Sequence, residues 1–450
     1  MSKLNHDILN YIFQDLFNLI STNLNNEEKY KKSLYSCLLV NKLWCEIMIP
    51  ILWSYPFKYV FKKNILFNII ISHLPDNTIK ILKDKNIIET NFKKQKLSFN
   101  YVRFCKYLND IHHICTTRLL GEEIYKLFIS ECSSIKSLNS NMLYYKILKY
   151  PGANISLSNL YELYCITDDQ DFYYGLAQIC KSIEKLHVVI GYEEFPGVVK
   201  LIEMQTQIKY LFIDGHYECK KITQALEKHV NSIIHLEMTR YTSAIHFLIP
   251  KLINLQYLKV DDYYCILKKY VIYLNHYNLK ALDLYFLSSL DIAINIIKNT
   301  NGNLWRIRIE YTENTDKAKE YNQTIHKYCP NIKYVTVFLN RDGTLKELKK
   351  IFIKCQHLEA IDINGKINTK YIDELIDLLA EFAPPTLCKI HIDNIKSYYD
   401  EQTLNYFLIN WDNRILGKKT SPLYSNVHYQ DIAHTTYNND FWNNYITWNV

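Results

Sequence analysis

Glycine and proline are scarce, ten of each in 450 residues. So few glycines leave few places where a backbone can close tightly on a phosphate or a cofactor. No Gly-rich phosphate loop, Gly-x-Ser-x-Gly elbow or His-Glu-x-x-His pair occurs, so three common routes to catalysis are missing and no cofactor is expected. The twelve cysteines stand singly, without a Cys-x-x-Cys pair, which removes the usual zinc and redox spacings and points to free thiols. No apolar run approaches the roughly 18–20 residues of a membrane span. Met1 to Phe13 carries a lone Lys3 and then Asp7, unlike a cleavable leader. The expectation is an intracellular chain, in cytoplasm or nucleus, with no membrane partner.

Charge is moderate and unevenly placed. The formal net charge is +7, and between Lys58 and Lys106 there are 11 Lys or Arg against Asp76, Asp84 and Glu89, a local +8. The rest is close to neutral and offers no basic stripe to a nucleic acid. The clustered lysines read as solvated helix faces, with a phosphate or acidic partner as the sharper alternative.

What the chain has in abundance is aliphatic side chains at a fixed spacing. Leu279-Lys280-Ala281-Leu282-Asp283-Leu284 places aliphatics first, fourth and sixth. The first of them recurs at Ile135, Leu160, Ile183, Ile208, Ile233, Leu255, Leu279, Leu304, Ile332, Leu358 and Leu387, in steps of 22 to 29 residues. Such a period and core mark a leucine-rich repeat, whose units each give a strand and a helix and bury their apolar side only against neighbours. The units at Ile135 and Leu160 lack a clean third aliphatic. The expected fold is α/β, a curved solenoid over residues 131–395 with a parallel sheet on the concave side and helices on the convex side. Helical halves are legible at Ile222 to His229, Leu345 to Phe352 and Tyr371 to Leu379. Cys132, Cys180, Cys329 and Cys355 fall three residues before an anchor, where a small thiol suits a tight corner. This resembles the cysteine-containing leucine-rich repeats often attached to F-boxes.

Strand alternation buries the first, fourth and sixth positions and turns the fifth outward. Those fifth positions are His187, Phe212, Glu237, Lys259, Asp283, Arg308, Thr336, Asp362 and His391, flanked by Tyr210, Tyr257, Tyr285 and Arg306. Aromatics and arginine among charges of both signs suit recognition of a protein. The expected substrate-binding set is Tyr210, Phe212, Glu237, Tyr257, Lys259, Asp283, Tyr285, Arg306, Arg308 and Asp362.

Residues 1–55 have another character. Ile8, Leu9, Ile12, Phe13 and Leu16 form the stripe of an amphipathic helix over about residues 6 to 20. A polar loop from Ser21 to Lys29 follows, then two short helices, Ser33 to Val40 and Asn41 to Ile49, stopped by Pro50. The string Leu4-x-x-Asp-Ile-Leu-x-x-Ile-Phe-x-x-Leu16, then Leu34-x-Ser-Cys37-Leu38-Leu-Val40-Asn-x-x-Trp44, then Ile51-Leu52-Trp53, resembles the F-box. Asn5 stands where that family has proline, and the Asn-rich segment after the first helix is longer than usual. The resemblance implies docking on a Skp-type adaptor of a cullin ubiquitin ligase through Leu4, Ile8, Leu9, Ile12, Phe13, Leu16, Leu34, Cys37, Leu38, Val40 and Trp44. The repeats would then hold an unidentified protein substrate, with no catalysis by this chain. The alternative is a leucine-rich-repeat scaffold outside any ubiquitin pathway, its helices merely capping the first coil.

Between these parts, residues 56–130 read as a helical linker with atypical first repeats. Phe57 to Ile71 and Thr78 to Ile88 look helical and Phe99 to Leu108 strand-like. Residues 396–450 read as a cap, with a helix at Thr403 to Trp411, and an aromatic tail. His113 with Cys115 and His216 with Cys219 are the only thiol-imidazole neighbours worth naming for an enzyme, and neither has further ligands at a useful spacing.

Overall fold

A computed structural model describes residues 6–22, 27–57, 63–108, 114–115, 117–138, 145–165, 169–190, 195–215, 220–239, 247–261, 277–312, 315–340, 344–365 and 369–392. Leu4, His113, His216, Cys219 and the expected C-terminal helix and tail lie outside them. One compact unit takes in residues up to 189 together with 195–208, and a second takes in 190 and the described residues from 209 onward.

Eleven parallel strands follow one another in chain order. The first unit carries β1 (Ser137–Leu138), β2 (Glu162–Cys165) and all but the last residue of β3 (Lys185–Ile190). The second carries β4 (Tyr210–Gly215), β5 (His235–Thr239), β6 (Tyr257–Asp261), β7 (Ala281–Leu287), β8 (Arg306–Thr312), β9 (Tyr334–Leu339), β10 (Ala360–Gly365) and β11 (Lys389–Ile392). Strand register carries the sequence period into space. Ser137 pairs with Glu162, Tyr210 with His235, Tyr257 with Ala281 and Ala281 with Arg306, offsets of 25, 25, 24 and 25 residues that equal the steps between anchors. All eleven anchors are buried, as the repeat demands. Cys165 takes the sixth position in β2 and is buried there, so a thiol replaces the aliphatic missing from that unit.

Helices follow the strands, among them Lys220–Glu227, Leu345–Lys354 and Thr369–Phe382, where the 3.6-residue stripe places them. The corners between helix and strand are closed by polar groups as well as by apolar ones. The Cys180 thiol donates to the Leu160 carbonyl at 3.5 Å, Cys355 to Cys329 O at 3.6 Å and Cys132 to Val102 O at 3.2 Å. Each thiol thus ties its coil to the backbone of the preceding one. Gln205 holds the same place before Ile208; its amide accepts the Ile183 N–H and donates to Cys180 O and Leu201 O. Just before their anchors, Asn254, Asn278 and Asn303 donate to Asn231 O, Ile253 O and Tyr277 O. Carbonyls at these corners that no strand partner reaches are satisfied in this way.

At the front of the first unit stand α1 (His6–Thr22), α2 (Glu27–Cys37) and α3 (Lys42–Ser54). Here three expectations give way. Helix α2 starts inside the stretch read as loop and ends at Cys37, residues 38–40 forming a turn. Asn41 then caps α3, its Oδ1 accepting the Trp44 N–H at 3.0 Å. Pro50 lies inside α3 rather than ending it. A mid-helix proline forfeits one hydrogen bond and costs about 3 kcal/mol. Burial of Ile51, Leu52 and Trp53 in the next turn offsets that loss, at about 1.5–3 kcal/mol for a large apolar side chain.

Residues 99–108 do not form a strand; they make a short 3₁₀ turn at Val102–Phe104 and one parallel bridge from Tyr107 to Ser137. In that register Cys105 and Leu108, both buried, occupy the anchor and fourth positions of a coil one repeat earlier than the aliphatic pattern reveals. A cysteine anchor hides it from an aliphatic search.

Candidate functional site

On β4 to β8 the third and fifth positions share one face, in register from strand to strand. Alternation sets them opposite the first, fourth and sixth positions, but they are not open to solvent. Asp283 is 1% exposed and Arg306 2%, and Tyr257, Arg308, Thr336 and Asp362 are also buried. Tyr210, Phe212, Glu237, Lys259 and Tyr285 are half-buried. The reason is the rung spacing. Strands about 4.8 Å apart bring equivalent long side chains into contact with those of the next coil, so alternation sets direction and the neighbours set exposure.

The centre of this face is a polar network. Arg306 Nη2 donates to Asp283 Oδ2 at 2.6 Å, and the Tyr257 hydroxyl donates to the same oxygen at 2.7 Å. Burial pushes the Asp283 carboxyl above the ordinary carboxylate range, although Arg306 and the Tyr257 hydroxyl oppose the shift. Lys259 reaches Glu237 at 3.1 Å and Arg308 reaches Glu310 at 2.8 Å, and both cations lie over the Tyr285 ring. His235 stacks on Tyr257 with centroids 4.1 Å apart and bonds Glu237 at 2.9 Å. Burial alone would raise the Glu237 carboxyl, but His235 and Lys259 bring it below the usual range. Further along, Asp362 accepts from Asn364 and pairs with His391 at 2.7 Å.

His235 and Glu310 did not emerge from the fifth-position reading. Both sit an even number of residues from a fifth position, so alternation alone would have found them.

A related cluster sits in the first unit. Burial would raise the Glu162 carboxyl, yet His187 at 3.5 Å and the Lys185 ammonium at 2.6 Å overcome it and hold the group at about 2. At 3.5 Å the imidazole is at the limit of a hydrogen bond, so the ammonium is the closer partner. The folded value lies below the unfolded one of about 4.3. This carboxylate therefore stabilises the fold above that value and loses its contribution as the pH falls toward about 2. In circular-dichroism titrations Glu162→Gln is expected to lose on the order of 1–2 kcal/mol at neutral pH and to show a flatter decline between roughly pH 4 and pH 2.

The helices sort the ten described members of the expected docking set into three groups. Leu9, Phe13 and Leu34 are buried as the core of α1 to α3, and Phe13 meets Trp44 edge-on at 5.0 Å. Leu16, Cys37, Leu38 and Trp44 are half-buried. Ile8 (51%), Ile12 (46%) and Val40 (54%) are exposed, joined by Tyr11, Leu43 and, at 88%, Leu39.

No catalytic constellation forms among the described residues. Burial pushes the Cys115 thiol up to about 12, the reverse of what an attacking thiolate needs. No group of three His, Cys, Asp or Glu is placed to hold a metal among the described residues, and no helix there is long and apolar enough to cross a membrane.

No protein-family model and no curated protein sequence matches the chain. Among solved structures it is similar to the leucine-rich repeat-containing protein LegL7 from Legionella pneumophila, at 15% identity over 66% of this chain and 96% of that one, with a TM-score of 0.33. So loose a likeness adds nothing to the register above. The repeating strands, buried anchors and intervening helices define a leucine-rich-repeat fold, which suits a protein-interaction scaffold.

Proposed function

We propose that this chain is a non-catalytic substrate adaptor. Its α1–α3 module docks on a Skp-type adaptor of a cullin ubiquitin ligase, while the outward face of the sheet holds a protein for modification. The observation that supports it is the exposure of Ile8, Ile12, Leu39, Val40 and Leu43 on a short helical module whose own core is already supplied by Leu9, Phe13 and Leu34. Apolar side chains left in water beside a completed core suit a partner surface. Holding a target near a charged ligase raises effective concentration without new chemistry. Half-buried Tyr210, Phe212, Glu237, Lys259 and Tyr285 are the substrate contacts on this reading, and Tyr257, Asp283, Arg306, Arg308 and Asp362 hold them in place.

The full chain is expected to capture a purified Skp-type adaptor in a pull-down. Ile8→Asp with Ile12→Asp should abolish capture without shifting the urea midpoint, because both positions are exposed. Undiminished capture by that folded variant would refute the docking mode. A repeat scaffold outside any ubiquitin pathway is the second reading. It is favoured by the bonds from the Lys106 and Tyr107 amides to Ser54 O, which make α3 a cap for the first coil. Failure of the wild-type chain to capture the adaptor would select it.

A further inference from the structure

A cavity of about 480 Å³ opens within the first unit, between α1, the middle of α3 and the turn at residues 103–106. Its size falls in the range of ligand sites, roughly 300–1,000 Å³. Two of its walls are apolar, from Phe17 on α1 and from Ile47, Pro50 and Ile51 on α3, with Phe104 opposite. Its rim is cationic. Arg103 is held over the Phe104 ring at 4.8 Å. Among the described residues no carboxylate pairs with its guanidinium or with the Lys106 ammonium, and both residues are exposed. Among the described residues the one acid lining the cavity is Glu46, which pairs with Lys42 at 3.7 Å. The hydroxyls of Ser133 and Ser134 and the amides of Asn10 and Gln14 also line the space.

We infer that this cavity binds a small organic anion, a phosphate or carboxylate head on an apolar, ring-sized body. The head meets Arg103, Lys106 and the two serine hydroxyls, and the body lies against Phe17, Ile47 and Phe104. Charge-assisted hydrogen bonds supply the selectivity for an anion, and the apolar walls separate this ligand from a bare inorganic ion.

The test is calorimetric titration of the full chain at low ionic strength, where surface charge is least screened. The probes are phenyl phosphate, benzoate and inorganic phosphate. At least one aromatic anion is expected to bind with a Kd below about 1 mM, at least about tenfold more tightly than inorganic phosphate. The better of the two aromatic anions tells whether the natural head is a phosphate or a carboxylate. Arg103→Ala with Lys106→Ala should weaken that binding by about tenfold or more and leave the unliganded melting temperature unchanged, both side chains being exposed. The inference is overturned by absence of saturable binding for both aromatic probes, by equal affinity for inorganic phosphate, or by equal affinity in the double variant.

Discussion

Asp283→Ala is expected to lower the stability of the chain by about 3–5 kcal/mol, because it removes the carboxylate bonded by both the Arg306 guanidinium, 2% exposed, and the Tyr257 hydroxyl. Removing one member of a buried pair costs more than removing both, since the survivor stays charged and out of water. Asp283→Leu with Arg306→Met should therefore recover most of the loss. Urea unfolding of the single and double variants decides it. If the single change leaves the midpoint within the scatter of surface substitutions, the network on the sheet face is not what holds β6 to β8 in place.

The second large effect is backbone in origin. Gly365 ends β10 with φ at +140°, in a region almost closed to other residues, and a Cβ there would meet the carbonyl oxygen of its partner Leu339 on β9. Gly365→Ala is expected to cost at least about 2 kcal/mol, the strain alone being about 1–3 kcal/mol. The same urea measurement reads it, and a change below about 0.5 kcal/mol, the range of surface substitutions, would show that the strand end relaxes freely.

Much of the fold was legible because a repeat states its pattern many times. A spurious aliphatic triplet at one place does not recur 25 residues on, and the offsets between Tyr210, His235, Tyr257 and Ala281 equal the spacing read from the chain. Where a unit departs from the aliphatic alphabet the reading stopped short, as at Cys105 and Cys165, whose thiols fill apolar positions. Helix ends were less legible. Burial of Ile51 to Trp53 overrides the stop expected at Pro50, and burial depends on what lies across from a helix.

What the sequence misjudged in the candidate sites was exposure. Alternation names Asp283 and Arg306 as facing away from the core, and it cannot tell that side chains one rung apart will close over each other. For the helices the amphipathic stripe alone does not separate Leu9 and Phe13, which face α3, from Ile8 and Ile12, which do not. Introducing a charge at Leu9 or Phe13 would report on folding, and only Ile8 and Ile12 can report on docking.

The join at Ser54 covers an edge of the sheet that would otherwise stand open to a second copy. A terminal strand offers a row of bare amides and carbonyls to any passing strand. In β1 the side away from β2 is met by residues 106 and 107, which are pinned to the last turn of α3. Shortening the protein to begin at β1 would uncover that edge and invite strand-to-strand clumping. Soluble preparations of the repeats therefore have to retain α3 and the segment through Leu108, whatever the helices in front of them bind.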